Sequence, residues 1–279
     1  CGQEPLAAPP KTIKLPQKAW TCAYTSTMRR VFDMTFDYKT DKPARTRPDA
    51  DRDSPQLRAD HELLWTKELR NGDLFEPEAP AVRRKGYLIF TNPTSEEMHW
   101  YGSDAITNSY TRWLRPKTLV KAIAGLDDGQ RARYLNPPYT IGSSMIWPVR
   151  KRHPYTMNRA RVRRQIADRM DLTLECIRLH YAGEQWSPLA EVIKNYEDFF
   201  ALFRDFQGFV EFFHFQDLLT RDGKVDFFLP LGDFKRHGAP ASTPEYVEYR
   251  EKVLEFIEKR NDRMAEWVIE NHPDIEVRQ

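Results

Sequence analysis

The chain has 279 residues, of which 40% are hydrophobic, 30% charged and 13% aromatic; this is enough for a sizeable ring-rich core and excludes disorder of the chain as a whole. The formal net charge of +2 gives the molecule no strong field, so any contact with a polyanion would need a local basic patch. Cys1, Cys22 and Cys176 lack the spacing of a zinc site or a disulfide framework, and no apolar run approaches the roughly 18 residues of a membrane span.

In chain order, residues 1–19 carry four prolines and little periodicity and read as an extended tail, leaving 20–279 as a single domain. "MRRVFDMTFDYKTD" suggests a short strand entering a charged, proline-broken loop. "SPQLRADHELLWTKELRNG" predicts a helix: Ser54 caps it, Pro55 takes a first-turn position, Leu57, Leu64 and Trp65 share a face, and Gly72 ends the run. "RRKGYLIFTN" and "EMHWYGSDA" predict a hairpin turning at Asn92 to Ser95, with Tyr87, Ile89, His99 and Tyr101 alternating between faces. Helical spacing returns over 106–125 through Tyr110, Trp113 and Leu114, and "PPYTIGSSMIWP" predicts a strand containing Gly142. Helices are then expected at 156–183, 188–206, 208–219 and 244–270, with one strand at 224–231 rejoining the early sheet. The expected fold class is α+β, a strand-rich N-terminal half packed on a helix-rich C-terminal half around a single core.

The most informative stretch is "DRMDLTLECIRLHY", residues 168–181. At about 100° per residue, Asp168, Asp171, Glu175 and Arg178 form a stripe about 80° wide on a helix otherwise covered by Met170, Leu172, Leu174, Cys176, Ile177, Leu179 and Tyr181. Arg169 projects from the apolar side, where a guanidinium needs a partner. Two readings follow: the stripe lines a pocket in which arginines grip an anion and Glu175 or Asp171 serves as acid or base, or it is a solvated stripe of helical ion pairs.

The other motifs are ambiguous in the same way. Residues 150–165, "RKRHPYTMNRARVRRQ", form the densest basic run, a candidate phosphate contact or a solvated face; with one interleaved aromatic, nucleic acid is the less favoured reading. Residues 199–219 hold eight of the sixteen phenylalanines, as a core helix pair requires, with His214 and Asp217 inside. Asp49, Asp51 and Asp53 have calcium-loop spacing, but Ser54 stands where that loop needs glycine and Asp60 where it needs glutamate, which excludes it. Neither a metal nor a cofactor is expected.

"FDYKTD", "DSPQLRADHELLWTKELRNG", "YTIGSSMIWP", "TMNRAR", "DRMDLTLECIRLHY" and "FIEKRNDR" occur in an order that resembles a bacterial family known only as a domain of unknown function, over about residues 32–263. The resemblance implies one domain in a bacterial cytoplasm and no particular activity. Asn158 and Arg161 match that family's "TIN.ARG"-like block, whereas Val162 stands where the block has glycine; His61, Asp104, Asp168, Arg169, Asp171, Glu175, Arg178 and Tyr181 fall in other matching blocks. The resulting expectation is an enzyme or binding domain for an anionic or phosphorylated small molecule. Glu175, Asp171 and His61 are the candidate acid–base groups, and Arg161, Arg169, Arg178, Asn158, Asp104 and Tyr181 the candidate ligand contacts. A noncatalytic surface for a protein partner is the alternative. A cytoplasmic location is expected, with lipidation at Cys1, which precedes Gly2, as the minor alternative.

Overall fold

Strand β1 (Val31–Asp33) leads into a turn whose Asp41 carboxylate accepts from Ser54 Oγ and from the Gln56 amide, both at 2.8 Å. These bonds fix the start of α2 (Pro55–Trp65), which follows the single turn α1 (Ala50–Asp53); Ser54 caps α2 by accepting from the Leu57 amide, with Pro55 in the first turn. The described residues are 30–41, 49–80, 87–92, 98–111, 116–149 and 156–279 of a computed structural model. The helix stops at Trp65, short of Gly72. The chain turns instead into a small hairpin, β2 (Lys67–Glu68) and β3 (Leu74–Phe75), whose turn uses Gly72 at φ 86°.

The central sheet is antiparallel in the order β4 (Leu88–Thr91), β5 (Met98–Ala105), β6 (Ser144–Pro148). The expected hairpin is present, although its turn at 93–97 lies outside the described residues. The expected helix at 106–125 is shorter: α3 spans Lys117–Ala124, Tyr110 sits at φ 59° and so cannot be helical, and Trp113 and Leu114 lie outside the described residues. Next come α4 (Asp128–Leu135), begun by an Asp127/Gln130 capping box, and a 3₁₀ turn at Ile141–Ser143 that holds Gly142 just before β6.

The helix expected over 156–183 is broken. It runs as α5 (Met157–Arg161) and α6 (Met170–Tyr181), separated by Ala167 at φ 51° and Asp168 at φ 58°, a conformation no right-handed helix contains. The aromatic region forms α7 (Ala190–Lys194), α8 (Glu197–Ala201), α9 (Phe206–Phe212) and a 3₁₀ turn at Gln216–Leu218. Gly208 is inside α9. The segment 224–231 is not a strand beyond one bridge between Leu219 and Val225; the Phe228 amide and the Leu229 carbonyl bond to the Asp171 and Arg169 side chains instead of to a neighbouring strand. What pairs with the early chain is β7 (Glu276–Arg278), parallel to β1 and delivered by the long helix α10 (Thr243–Asn271).

The architecture is α+β, and its two halves share a core. Trp65 and Phe75 from the first half pack on Phe212 and Phe213, within a ring cluster that continues through Phe199, Phe203 and Phe209. Arg260 of α10 is wholly buried and donates to the carbonyls of Phe213, Gly142 and Ser144, tying three segments with one guanidinium. Among the described residues no helix is long and apolar enough to cross a membrane.

Candidate functional site: carboxylates around Arg161

Arg161 closes the last turn of α5, and its side chain has no solvent exposure. Its Nε donates to Thr173 Oγ1 on α6 (3.3 Å), Nη1 to the Ala105 carbonyl (3.1 Å) and Nη2 to the Ile106 carbonyl (2.9 Å). Two carboxylates face it: Asp104 Oδ2 at 3.4 Å from Nη1 and Asp168 Oδ1 at 3.2 Å from Nη2. The guanidinium also lies 5.2 Å from the Trp147 ring centre. Asp104 comes from the end of β5, and Asp168 from the left-handed turn between α5 and α6. The second oxygen of Asp168 accepts from Asn108 Nδ2 at 3.0 Å.

A third carboxyl arrives on α1. Asp51 Oδ1 accepts from Ser103 Oγ at 2.9 Å and from the Tyr139 hydroxyl. Behind Ser103, His61 Nε2 lies 3.3 Å from Ser103 Oγ and 3.4 Å from Ser144 Oγ. His61 Nδ1 accepts from Trp65 Nε1–H at 2.6 Å, which fixes the neutral tautomer with its proton on Nε2. His61 therefore presents a donor to the two serines and holds them in place.

Three carboxyls against one guanidinium leave a net charge of −2 if all are ionised, a costly state beneath the surface. Burial pushes the Asp51 carboxyl up to about 6, with the Tyr139 and Ser103 hydrogen bonds opposing. Burial also raises Asp104 well above the ordinary carboxylate range; Arg161 opposes this, while the charges of Asp168 and Asp51 add to it. Asp168 is raised by burial against the pull of Arg161 and Asn108. All three carboxyls are thus displaced toward their neutral form. With 31% of its side chain exposed, Asp104 is the most open of its members bound to Arg161.

Of the residues singled out in the sequence, the structure brings Arg161, Asp104 and His61 together here, with Asn158 one turn before Arg161 on α5 and its buried Oδ1 without a hydrogen bond among the described residues. Others lie elsewhere. Arg169 and Asp171 form a buried ion pair of their own, completed by the carbonyls of Gly238 and Leu229 and the amide of Phe228. Glu175 and Arg178 pair at i,i+3 on the outer face of α6, and Tyr181 donates to the Phe200 carbonyl. The expected stripe therefore divides: Asp168 precedes the helix, Asp171 is buried, and Glu175 and Arg178 pair with each other. The basic run is similarly dispersed, with 150–155 outside the described residues, Arg161 buried and Arg164 exposed.

Asp51, Ser103 and Tyr139 were not singled out as site residues. The dense "DADRD" run is a signal for Asp51, but its spacing resembles a calcium loop and so points to another chemistry. Nothing local in "SDA" or "PPYT" marks Ser103 or Tyr139, which the fold brings in from β5 and the loop before the 3₁₀ turn.

The chain belongs to a family of unknown function (DUF6994), whose model matches residues 32–264. No curated protein and no solved structure matches it.

Proposed function

We propose that the chain is an acid–base enzyme acting on an uncharged or cationic polar small molecule at the Asp51–Asp104–Asp168 cluster. The observation that carries this reading is the surplus of carboxyl over guanidinium in a place where burial lifts the carboxyls toward neutral pH. Asp51, bonded to Tyr139 and Ser103, is the group that gives or takes the proton; Arg161 positions Asp104 and Asp168; His61 positions Ser103 and Ser144. The sign of the ligand follows from the donors. Arg161 spends its N–H groups on Thr173, two carbonyls and two carboxylates, and Arg169 spends its own on Asp171 and two carbonyls, so neither has a fork to offer an anion.

A thermal-shift screen of amines, polyols and sugars tests the reading. A stabilising compound should lose its effect in Asp51→Asn and Asp104→Asn. Stabilisation by phosphorylated metabolites alone, unaffected by these substitutions, would favour a second reading. That reading keeps the anionic ligand and moves it to a concavity of about 660 Å³ where Arg164, Lys235, Arg236 and His237 face Asp233, Glu245 and Glu248. Arg164→Ala with Arg236→Ala is its discriminating variant.

A further inference from the structure

We propose that Lys67 is a nucleophilic amine that condenses with an uncharged aldehyde entering the cavity between the β2–β3 hairpin, α9 and α10. This site is independent of the carboxylate cluster.

Lys67 opens β2 directly after α2 and borders a cavity of about 440 Å³, lined also by Leu69, Phe203, Phe212, His214 and Trp267. Its Nζ donates to the Phe212 carbonyl at 2.5 Å and lies 3.2 Å from His214 Nε2. Three rings surround it: Phe212 at 4.5 Å, Trp267 at 5.1 Å and Trp65 at 5.2 Å from their centres. Among the described residues no carboxylate pairs with it.

A surface lysine keeps its proton because water and carboxylates stabilise the ammonium. Lys67 is half-buried and, among the described residues, has no carboxylate partner, and the rings and one carbonyl replace what it has lost only in part. Burial accordingly lowers its pKa well below the ordinary lysine range, and the nearby Arg260 charge adds to the effect. His214 cannot compensate. It is itself pushed down by burial and by the charges of Arg260 and Arg263, so it stays a neutral acceptor. With one N–H on the Phe212 carbonyl and another toward His214, the neutral amine keeps its lone pair for a third partner. His214 holds this arrangement at φ 56°, a backbone conformation unfavourable for a residue with a side chain.

The ligand class follows from the walls. The floor is aromatic and suits a flat apolar body. At the rim, Glu68, Glu211, Glu266 and Glu270 outnumber Arg70 and Arg263, of which Arg70 is already paired with Asp205 and Glu211 and Arg263 with Asp217. An anionic carbonyl compound is thus disfavoured relative to a neutral one. The step balances without an oxidant or reductant. The Lys67 lone pair forms an N–C bond to the carbonyl carbon, the oxygen takes up protons, and the C–O bond breaks with loss of one water. That water carries both hydrogens lost by nitrogen and leaves an imine.

The test traps that imine. The whole chain is incubated at pH 7 with benzaldehyde and sodium cyanoborohydride, and the benzylated lysines are quantified by peptide mass spectrometry. Because an ordinary lysine is almost wholly protonated at this pH, Lys67 should be labelled at least about tenfold faster than the exposed Lys224 and Lys235. Lys67→Arg, which keeps the cation and the ring contacts, should remove the fast-labelled site and leave the slow ones unchanged. The wild-type ratio decides the matter even if that variant fails to fold: labelling of Lys67 no faster than of Lys224 and Lys235 would overturn the proposal.

Discussion

At the scale of single residues, the structure concentrates its electrostatic cost at Arg161. Removing that guanidinium strands Asp104 and Asp168 and leaves the carbonyls of Ala105 and Ile106 without their donor. Arg161→Met is therefore expected to destabilise the fold by about 3–5 kcal/mol, as breaking a buried pair does. Adding Asp168→Asn should recover part of the loss, since asparagine tolerates the left-handed backbone and removes one stranded charge. Urea titration of the two variants checks this; equal stability for both would mean that Asp168 carries no charge in the native cluster. Arg161, Asp104 and His61 were legible in the sequence as polar residues in awkward settings. Their company was not, because Asp51, Ser103 and Tyr139 reach the cluster from α1, β5 and a loop 88 residues further along from Asp51, and no local pattern encodes that meeting.

Among elements, those with strong terminal chemistry were the most readable. Ser54 and Pro55 announce α2. The helix expected at 244–270 is α10, whose first turn is capped by Ser242. The break between α5 and α6 was hidden because residues 162–169 contain neither glycine nor proline; the turn is held by tertiary contacts, with the Tyr110 hydroxyl donating to the Ala167 carbonyl at 2.8 Å and Asp168 facing Arg161. Apolar content at 224–231 mimicked a strand, but the ion pair of Arg169 and Asp171 takes up the Phe228 amide and the Leu229 carbonyl. α10 packs closely on the 3₁₀ turn before β6. A Cβ on Gly142 would fall 2.5 Å from the Ile257 carbonyl oxygen and 2.6 Å from Asn261 Oδ1, the atom that accepts the Gly142 amide. Gly142→Ala should thus cost about 1–3 kcal/mol as overpacking, and more if Arg260 loses its bond to the Gly142 carbonyl. Differential scanning calorimetry reads this as a lowered Tm, and an unchanged Tm would show that α10 can move aside.

For the whole molecule, opposing buried groups set the response to pH. Burial raises Asp51 and Asp60 to about 6, and lowers His61 to about 3 and His214 to about 2. Near pH 5 the folded chain therefore holds protons on two aspartates that the unfolded chain has released. The unfolded chain in turn holds protons on two histidines that the folded chain rejects. The aspartate contribution to stability is fully present below the ordinary carboxylate pKa and is lost as pH rises through 6. The histidine contribution is present above the ordinary imidazole pKa and is lost as pH falls. Across this window the two slopes oppose each other, and substitution exposes one of them. Asp51→Asn combined with Asp60→Asn removes the aspartate slope, so relative to the wild type the double variant should gain stability with rising pH by roughly 2 kcal/mol per pH unit near pH 5. The remaining titrating groups are common to both proteins, and those that do not touch the Asp51 cluster drop out of the difference. Urea unfolding in steps from pH 4.5 to 6 measures it. Parallel profiles would mean that these two carboxyls titrate alike in the folded and unfolded chains, which would also remove the near-neutral proton on which the acid–base reading of Asp51 depends.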